Sequence, residues 1–549
     1  MISLYLNNIA SMRKELGQYD QAIAYYRESI NIKEKLRKTA TGDIRRDYLA
    51  NQINTYQSLA SAYLDNEDPD NVLLSIELSR AKLLAERIAG VDSGLSFPSV
   101  DQVRGGLTTD EAVLIFSNID WNKFIVMVIT DSGVWYGEIR KADYLIQAKS
   151  LYQQPVLKLL DKQRGIALKQ KKEETRQIGK NAVNNSAFEK SINHYRTTLI
   201  QSATENQPGI GMAEKNNTAL SHSRAFSRAL YDLLIKPAAD KLTGKKKLLI
   251  MPDGILGVLP FETLINENNQ YLAEKFDIKY TQSMTISRLL DSRQYKNDRK
   301  PMLALGGAVY DEITYKTDML GDAVQLASLE KDVSDAFEQN RSLRASYEKL
   351  DMARWTNLPG TLKEVKTISR IVAKTEVITG DDVTENKVKR LSKSGELANY
   401  KVLHFATHGL VVPALPELSA IVLSQFKEEK DGEDGYLRMG EIAGLSIRAD
   451  FINLSACETG LGKIYGGEGV VGLTQSFLIA GANGLSVSLW QVADDSTSKF
   501  MTELYRKVEQ KGIGYSQAIA ETKRSFISGE YGDKWKAPYY WSPFVYYGK

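Results

Sequence analysis

Apolar residues in the first ninety positions recur at helical spacing. Leu6, Ile9, Ala10 and Leu16 fall on one helical face, Gly17-Gln18-Tyr19-Asp20 reads as a turn, and Ala22, Tyr26 and Ile30 line a second helix. The unit returns fifty residues later, with Ile9-Ala10-Ser11 matched by Leu59-Ala60-Ser61 and Asp20 by Asp70, before a helix through Leu73, Ile76, Ala81 and Leu84. Residues 1–92 therefore predict two degenerate helical hairpins. Two such hairpins bury little surface by themselves, so they must stack on the following domain or on a partner. A helical cap with no binding role is the other reading of the same pattern.

From about residue 100 the pattern turns to short apolar runs separated by helical stretches. Ala112 to Phe116 and Phe124 to Thr130 are rich in β-formers, and Asp131-Ser132-Gly133 reads as a turn into Val134-Trp135-Tyr136. Residues 150–225 are polar, with Lys169-Gln170-Lys171-Lys172-Glu173-Glu174 and Asn181 to Ser186 but little sustained periodicity. They read as a charged insertion, either a solvated loop with partial helix or a regulatory or cleavable segment. Strands are then expected at Leu248 to Met251, Ile278 to Thr281, Met302 to Leu305, Glu376 to Ile378, Val402 to Ala406, Ala420 to Leu423, Phe451 to Leu454 and Leu485 to Leu489. Alternation with helices argues for an α/β fold with a largely parallel sheet covered on both faces. Thr361-Leu362-Lys363-Glu364 has the letters of a capping box opening the helix before Glu376.

Composition narrows the setting. A net charge of +3 across 139 charged side chains (71 Lys and Arg, 68 Asp and Glu) gives no general attraction to nucleic acid or to a membrane surface. No apolar run approaches the ~18 residues of a membrane helix, and Met1-Ile2-Ser3-Leu4-Tyr5-Leu6 lacks the basic region and apolar core of a leader peptide. One cysteine cannot form an internal disulfide. The cytoplasm is the expected compartment.

That single cysteine carries the candidate chemistry. Cys457 lies in Leu454-Ser455-Ala456-Cys457-Glu458-Thr459-Gly460, directly after an apolar strand, and 49 residues upstream His408 ends His404-Phe405-Ala406-Thr407-His408-Gly409 after another. This is the spacing of a caspase-type nucleophile and base. Ligands of open parallel sheets bind beyond the carboxyl ends of the strands, so both residues are expected at one edge. If the strands are neighbours, an imidazole beside the thiol lowers its pKa and yields the nucleophilic thiolate. The main-chain N–H groups of Gly409 and Cys457 are then candidates for an oxyanion hole. The bland reading of a lone cysteine is an inert core thiol, but a strand breaking into a polar, Gly-rich turn is a poor place to bury one. His404, inside its strand, reads as a packed or hydrogen-bonded partner.

Two other motifs fail on context. His404 and His408 have zincin spacing, but Phe405 stands where that motif needs glutamate, and no third ligand is apparent. Gly467-Glu468-Gly469-Val470-Val471-Gly472 matches a dinucleotide fingerprint by letter, yet it starts ten residues after Cys457 instead of directly after a strand. It reads better as a loop leading into a helix from Val470 to Ala480.

The two hairpins resemble tetratricopeptide (TPR) units, and the remaining motifs together resemble the CHAT family, caspase-like domains associated with such repeats. The resemblance rests on His404 to Gly409, Leu454 to Gly460, Gly467-Glu468-Gly469 and Ser488-Leu489-Trp490-Gln491-Val492. Met251-Pro252-Asp253-Gly254, Leu259-Pro260-Phe261-Glu262, Leu358-Pro359-Gly360-Thr361 and Tyr540-Trp541-Ser542-Pro543-Phe544 extend it over residues 100–549. It implies a caspase-haemoglobinase fold, with a pseudo-caspase half over 100–300 carrying the insertion and a catalytic half over 301–549. His408 becomes base and Cys457 nucleophile. Gln491 and Ala493 depart from the family pattern, where proline and an acidic residue are frequent, while Asp494 is retained.

The expected activity is therefore a cysteine endopeptidase acting on a protein substrate, without metal or organic cofactor. A regulatory partner is expected through the repeats or the insertion, with the resemblance pointing toward a bacterial defence or cell-death pathway. Arginine-specific relatives of the clan carry an acid two positions before the nucleophile, where this chain has Ser455. Ser455, Glu458, Glu468 and Asp494 are the candidate substrate pocket, although Asp494 and Asp495 read more readily as caps of a helix beginning near Ser496. A catalytically silent scaffold is the alternative function.

Overall fold

The computed structural model describes residues 2–39, 42–80, 82–90, 95–119, 123–144, 187–202, 212–311, 333, 335–336, 342–350, 352–412, 415–427, 433–455, 463–465, 469–492 and 494–549. It opens with helices Ile2–Glu15, Tyr19–Thr39, Gly42–Asp65, Pro69–Leu78 and Lys82–Ala89. Gly17, at φ 71°, makes the first turn in a backbone conformation that glycine adopts without strain. Asp68 caps Pro69–Leu78 by accepting from the Asn71 N–H. The single helix expected through Leu73 to Leu84 is instead two helices, because the chain breaks at Ser79 and Arg80. There the Arg80 guanidinium turns inward, donates to the carbonyls of Phe116 and Pro252, and pairs with Asp253 at 3.3 Å. Ala81 lies outside the described residues.

The strands are β1 (Glu111–Asn118), β2 (Lys123–Thr130), β3 (Gly133–Arg140), β4 (Lys247–Met251), β5 (Asp277–Tyr280), β6 (Lys300–Gly306), β7 (Thr375–Thr379), β8 (Tyr400–Ala406), β9 (His408–Leu410), β10 (Ala420–Val422), β11 (Tyr436–Arg438), β12 (Phe451–Leu454), β13 (Lys463–Tyr465), β14 (Gly469–Val471), β15 (Gly484–Ser488) and β16 (Phe544–Gly548). Among the described residues, eleven form one sheet in the order β3-β2-β1-β4-β5-β16-β15-β12-β8-β6-β7. Its pairs are parallel except β1/β2, β2/β3 and β15/β16. The C-terminal strand β16 joins two blocks, parallel to β5 and antiparallel to β15. The blocks therefore run in opposite directions. The sheet edge beyond the carboxyl ends of β8, β12 and β15 meets the amino end of β16.

Further expectations change, among them the helix expected from Val470, which begins at Leu473 after β14. The strand around Ala420 belongs to a small antiparallel sheet, β11-β10-β9, and not to the main one. Helix Ala187–Gln201 falls within the span read as an insertion, yet Phe188, Ile192, Tyr195 and Leu199 are buried, so this part is core. Its four apolar positions lie three or four residues apart, one buried stripe in an otherwise polar segment. Residues 145–186 lie outside the described residues. Finally, Thr361 does not cap Pro359–Ile371: it sits inside the helix, donates to the Leu358 carbonyl and accepts from the Gly307 N–H.

The repeats pack on one face of the first block. Tyr26, Tyr56, Leu59, Leu73 and Ile76 share a core with Val113, Ile115, Ile125, Met127 and Met251. Burying each Leu- or Ile-sized side chain contributes about 1.5–3 kcal/mol. A polar anchor adds direction. Glu77, fully buried, accepts from the Met284 and Thr285 N–H groups and the Thr285 hydroxyl, so a carboxylate from the repeats sits on the N-terminus of Met284–Asp291. Among the described residues, no helix is long and apolar enough to cross a membrane.

Candidate active site

Strands β8 and β12 are adjacent and parallel, with Leu454 opposite Phe405. Ser455, just past β12, donates its N–H to the Phe405 carbonyl at 2.9 Å. Thr407 and His408 leave β8 at the same edge. Cys457, Glu458 and Glu468 lie outside the described residues.

His408 opens β9 and is buried, 8% exposed. Its ring lies edge-on to Tyr310, with centroids 5.1 Å apart, and tilted against Trp355 at 4.9 Å. Nε2 lies 2.8 Å from the Thr356 carbonyl. A carbonyl only accepts, so Nε2 carries the proton and the neutral ring keeps its lone pair on Nδ1. Burial pushes the imidazole below its ordinary pKa, against the pull of the Thr356 carbonyl and Asp494. The ring is thus held neutral and oriented, ready to take a proton. Gly409 lies in the middle of β9, opposite Ile421.

His404 is spent on structure. It is fully buried, with Nε2 2.9 Å from Glu364 and Nδ1 3.1 Å from both Tyr505 Oη and Asn453 Nδ2. Neither ring nitrogen is left for substrate.

Between these groups lies a cavity of about 30 Å³, lined by Glu364, Thr407, Ser455, Ser488 and Asp494 among others. This is room for a water molecule or two. Among the described residues, the Ser455 hydroxyl, buried here, has no hydrogen-bond partner. Asp494 opens helix Asp494–Lys511 and stands exposed at the cavity mouth, so its helix-end position and its pocket position coincide. Loss of water and then the nearby Glu364 push its carboxyl above the ordinary range, while His408 pulls it down. Gly360 explains one motif: a Cβ there would lie 2.9 Å from that of Asp494, so only glycine lets helix Pro359–Ile371 approach the acid this closely.

Sequence reasoning missed Glu364, Thr356, Tyr310 and Trp355. Leu358-Pro359-Gly360-Thr361 marked their neighbourhood, but nothing in its letters points to a histidine more than forty residues away. Among the described residues, one carboxylate trio, Glu385, Glu433 and Glu441, is close enough to hold an ion. The Lys389 ammonium already bonds all three at 2.7, 2.8 and 2.6 Å.

The fold is a mixed α/β domain with a large, mostly parallel sheet behind a TPR-like helical part. The CHAT domain profile matches residues 224–549, and a tetratricopeptide repeat profile matches residues 4–36. The chain belongs to the CHAT domain family. It is 22% identical over 401 residues to tetratricopeptide repeat protein 28 of Homo sapiens, covering 66% of this chain but 14% of that protein. Among solved structures, the Saccharomyces cerevisiae separase–securin complex aligns with TM-score 0.42 and 12% identity, over 97% of this chain and 37% of that one. The complex of Porphyromonas gingivalis RgpB pro- and mature domains aligns with TM-score 0.34 and 10% identity, over 66% and 76%.

Proposed function

We propose that this chain is a cysteine endopeptidase with Cys457 as nucleophile and His408 as base. The observation that carries the reading is the orientation of His408: the Thr356 carbonyl holds Nε2–H, and Nδ1 stays basic at the edge where β8 and β12 end side by side. Cys457 follows Ser455 by two residues, a reach of at most about 7 Å. In the proposed reaction Nδ1 accepts the thiol proton, the thiolate attacks the scissile carbonyl, and the N–H groups of Gly409 and Cys457 hold the oxyanion. Imidazolium then protonates the leaving amine, and water releases the acyl-enzyme.

Ser455, Glu458, Glu468 and Asp494 are proposed as the substrate pocket, with Glu364 behind them. Two carboxylates around one cavity favour a cation, so a basic P1 side chain fits best. The cavity is too small for one as it stands, which supports a resting state opened by a protein partner engaging the repeats. A cytoplasmic role in defence or cell death fits such restraint. The same small cavity favours the second reading, a silent scaffold whose biological effect would survive Cys457→Ala. The test is cleavage of co-expressed candidate partners by wild type and Cys457→Ala. Loss of cleavage and of biological effect together supports the peptidase, whereas an effect unchanged by the substitution overturns it.

A further inference from the structure

A second cavity, of about 390 Å³, lies between one face of the first sheet block and the helices Val100–Gly105 and Met284–Asp291. It shares no lining residue with the cavity at Ser455. Its volume falls in the ~300–1,000 Å³ range of small-molecule sites. Val103, Leu107, Leu249 and Met284 give it apolar walls. The charged residues are mostly engaged: Lys247 with Glu111 at 3.4 Å and Asp110 at 3.6 Å, Arg288 with Gln102 at 3.2 Å, and the Lys549 ammonium with the Asp291 carbonyl at 3.2 Å.

Two groups in this wall are not engaged. Among the described residues, neither the Lys279 ammonium nor the Asp291 carboxylate makes a hydrogen bond or an ion pair. They are too far apart to pair with each other, and each feels the other's charge second, after Glu111 for Lys279 and Lys549 for Asp291. Burial pushes the lysine down and the aspartate up; Lys279 is the half-buried one of the two and holds its charge at a cost that an opposite charge would offset, while Asp291 is exposed. Leaving a half-desolvated ammonium unpaired is unfavourable unless an anion meets it.

We infer that this cavity binds a small zwitterion, a free α-amino acid with an apolar side chain. Its carboxylate meets Lys279, its ammonium meets Asp291, and its side chain takes the apolar wall. Only a molecule carrying both charges a few bonds apart completes both pairs at once. The ligand would span the junction between Val100–Gly105, which leads out of the repeats, and the sheet, and so stiffen that joint. This site is independent of the peptidase reading.

The test is calorimetric titration of the full chain with L-leucine, L-methionine and L-phenylalanine, against N-acetyl-L-leucine, L-leucinamide and inorganic phosphate. Saturable binding of at least one free amino acid is expected, with the blocked forms weaker by about tenfold or more. Lys279→Gln and Asp291→Asn should each cost about tenfold, the equivalent of ~1.4 kcal/mol. Leu107→Trp, which fills the space without touching either charge, should abolish binding, and an unchanged thermal midpoint without ligand verifies each fold. The inference is overturned if no free amino acid saturates the site at millimolar concentration. Equal binding of the blocked forms would overturn it too, since that is apolar partition only, as would binding of phosphate alone.

Discussion

Lys523→Met should destabilise the joint between the two sheet blocks far more than a surface charge would. The Lys523 ammonium, 2% exposed in helix Tyr515–Ser528, lies 2.6 Å from Glu262, 3% exposed in the loop after β4. Glu262 also accepts from Tyr280 Oη at 2.6 Å, and that hydroxyl accepts from the Phe261 N–H. At an effective dielectric of about 20, charges this close attract by on the order of 6 kcal/mol. Desolvation costs several kcal/mol per ion, so the net worth of the pair is small. Removing one partner is another matter, because Glu262 then stays buried and unpaired at a cost of about 3–5 kcal/mol. Glu262→Gln with Lys523→Met removes both charges and keeps an acceptor for Tyr280, and should recover most of the loss. Equilibrium urea denaturation followed by tryptophan fluorescence measures both variants. A single-variant loss under ~1 kcal/mol, as for exposed pairs, or a double variant as unstable as the single, would refute the reasoning.

Other expectations follow the same logic. Gly360→Ala places a Cβ 2.9 Å from that of Asp494; it should cost about 1–3 kcal/mol in denaturant midpoint and lower proteolysis by displacing the acid. Asp494→Asn should lower kcat/KM for substrates with Arg or Lys at P1 about five- to tenfold, the size of a rim charge near 1 kcal/mol, and leave neutral P1 substrates unchanged; an equal loss for both would exclude it from selectivity. Glu77→Ala strands two buried N–H groups of Met284 and Thr285 and should cost about 3 kcal/mol, read as earlier release of the repeats in limited proteolysis. The folded pKa of His408 is depressed by burial, so the folded state binds fewer protons than the unfolded one between that value and ~6.5. Its contribution is present above this window and lost as pH falls through it; wild type should lose more stability on acidification there than His408→Ala.

What could be read from the chain, and what could not, divides along physical lines. Val402 to Ala406 and Phe451 to Leu454 are strands because continuous apolar runs suit a sheet covered on both faces, and His408 follows from its place after one of them. β16 was hidden, since Phe544-Val545-Tyr546-Tyr547 follows a dense aromatic stretch with proline and gives no alternation. Yet it joins the two blocks. Thr361 had the letters of a cap, but its hydroxyl serves Gly307, a residue brought close only by the packing of Pro359–Ile371 on β6. Glu364, Tyr505 and Asn453 converge on His404 from three separate elements. No local pattern encodes such convergence, and the same holds for Arg80 reaching carbonyls on two segments of the first block, at Phe116 and at Met251-Pro252. Helix Ala187–Gln201 was masked by polar neighbours although its buried stripe is regular.

The central claim concerns one thiol and one imidazole, and the single cysteine of the chain makes it directly measurable. The rate of alkylation of Cys457 against pH, in wild type and His408→Ala, should give an apparent pKa well below the free value of about 8.5 in the first and a return toward it in the second. The same apparent pKa, near the free value, in both proteins and in the presence of every candidate partner would contradict the assigned dyad.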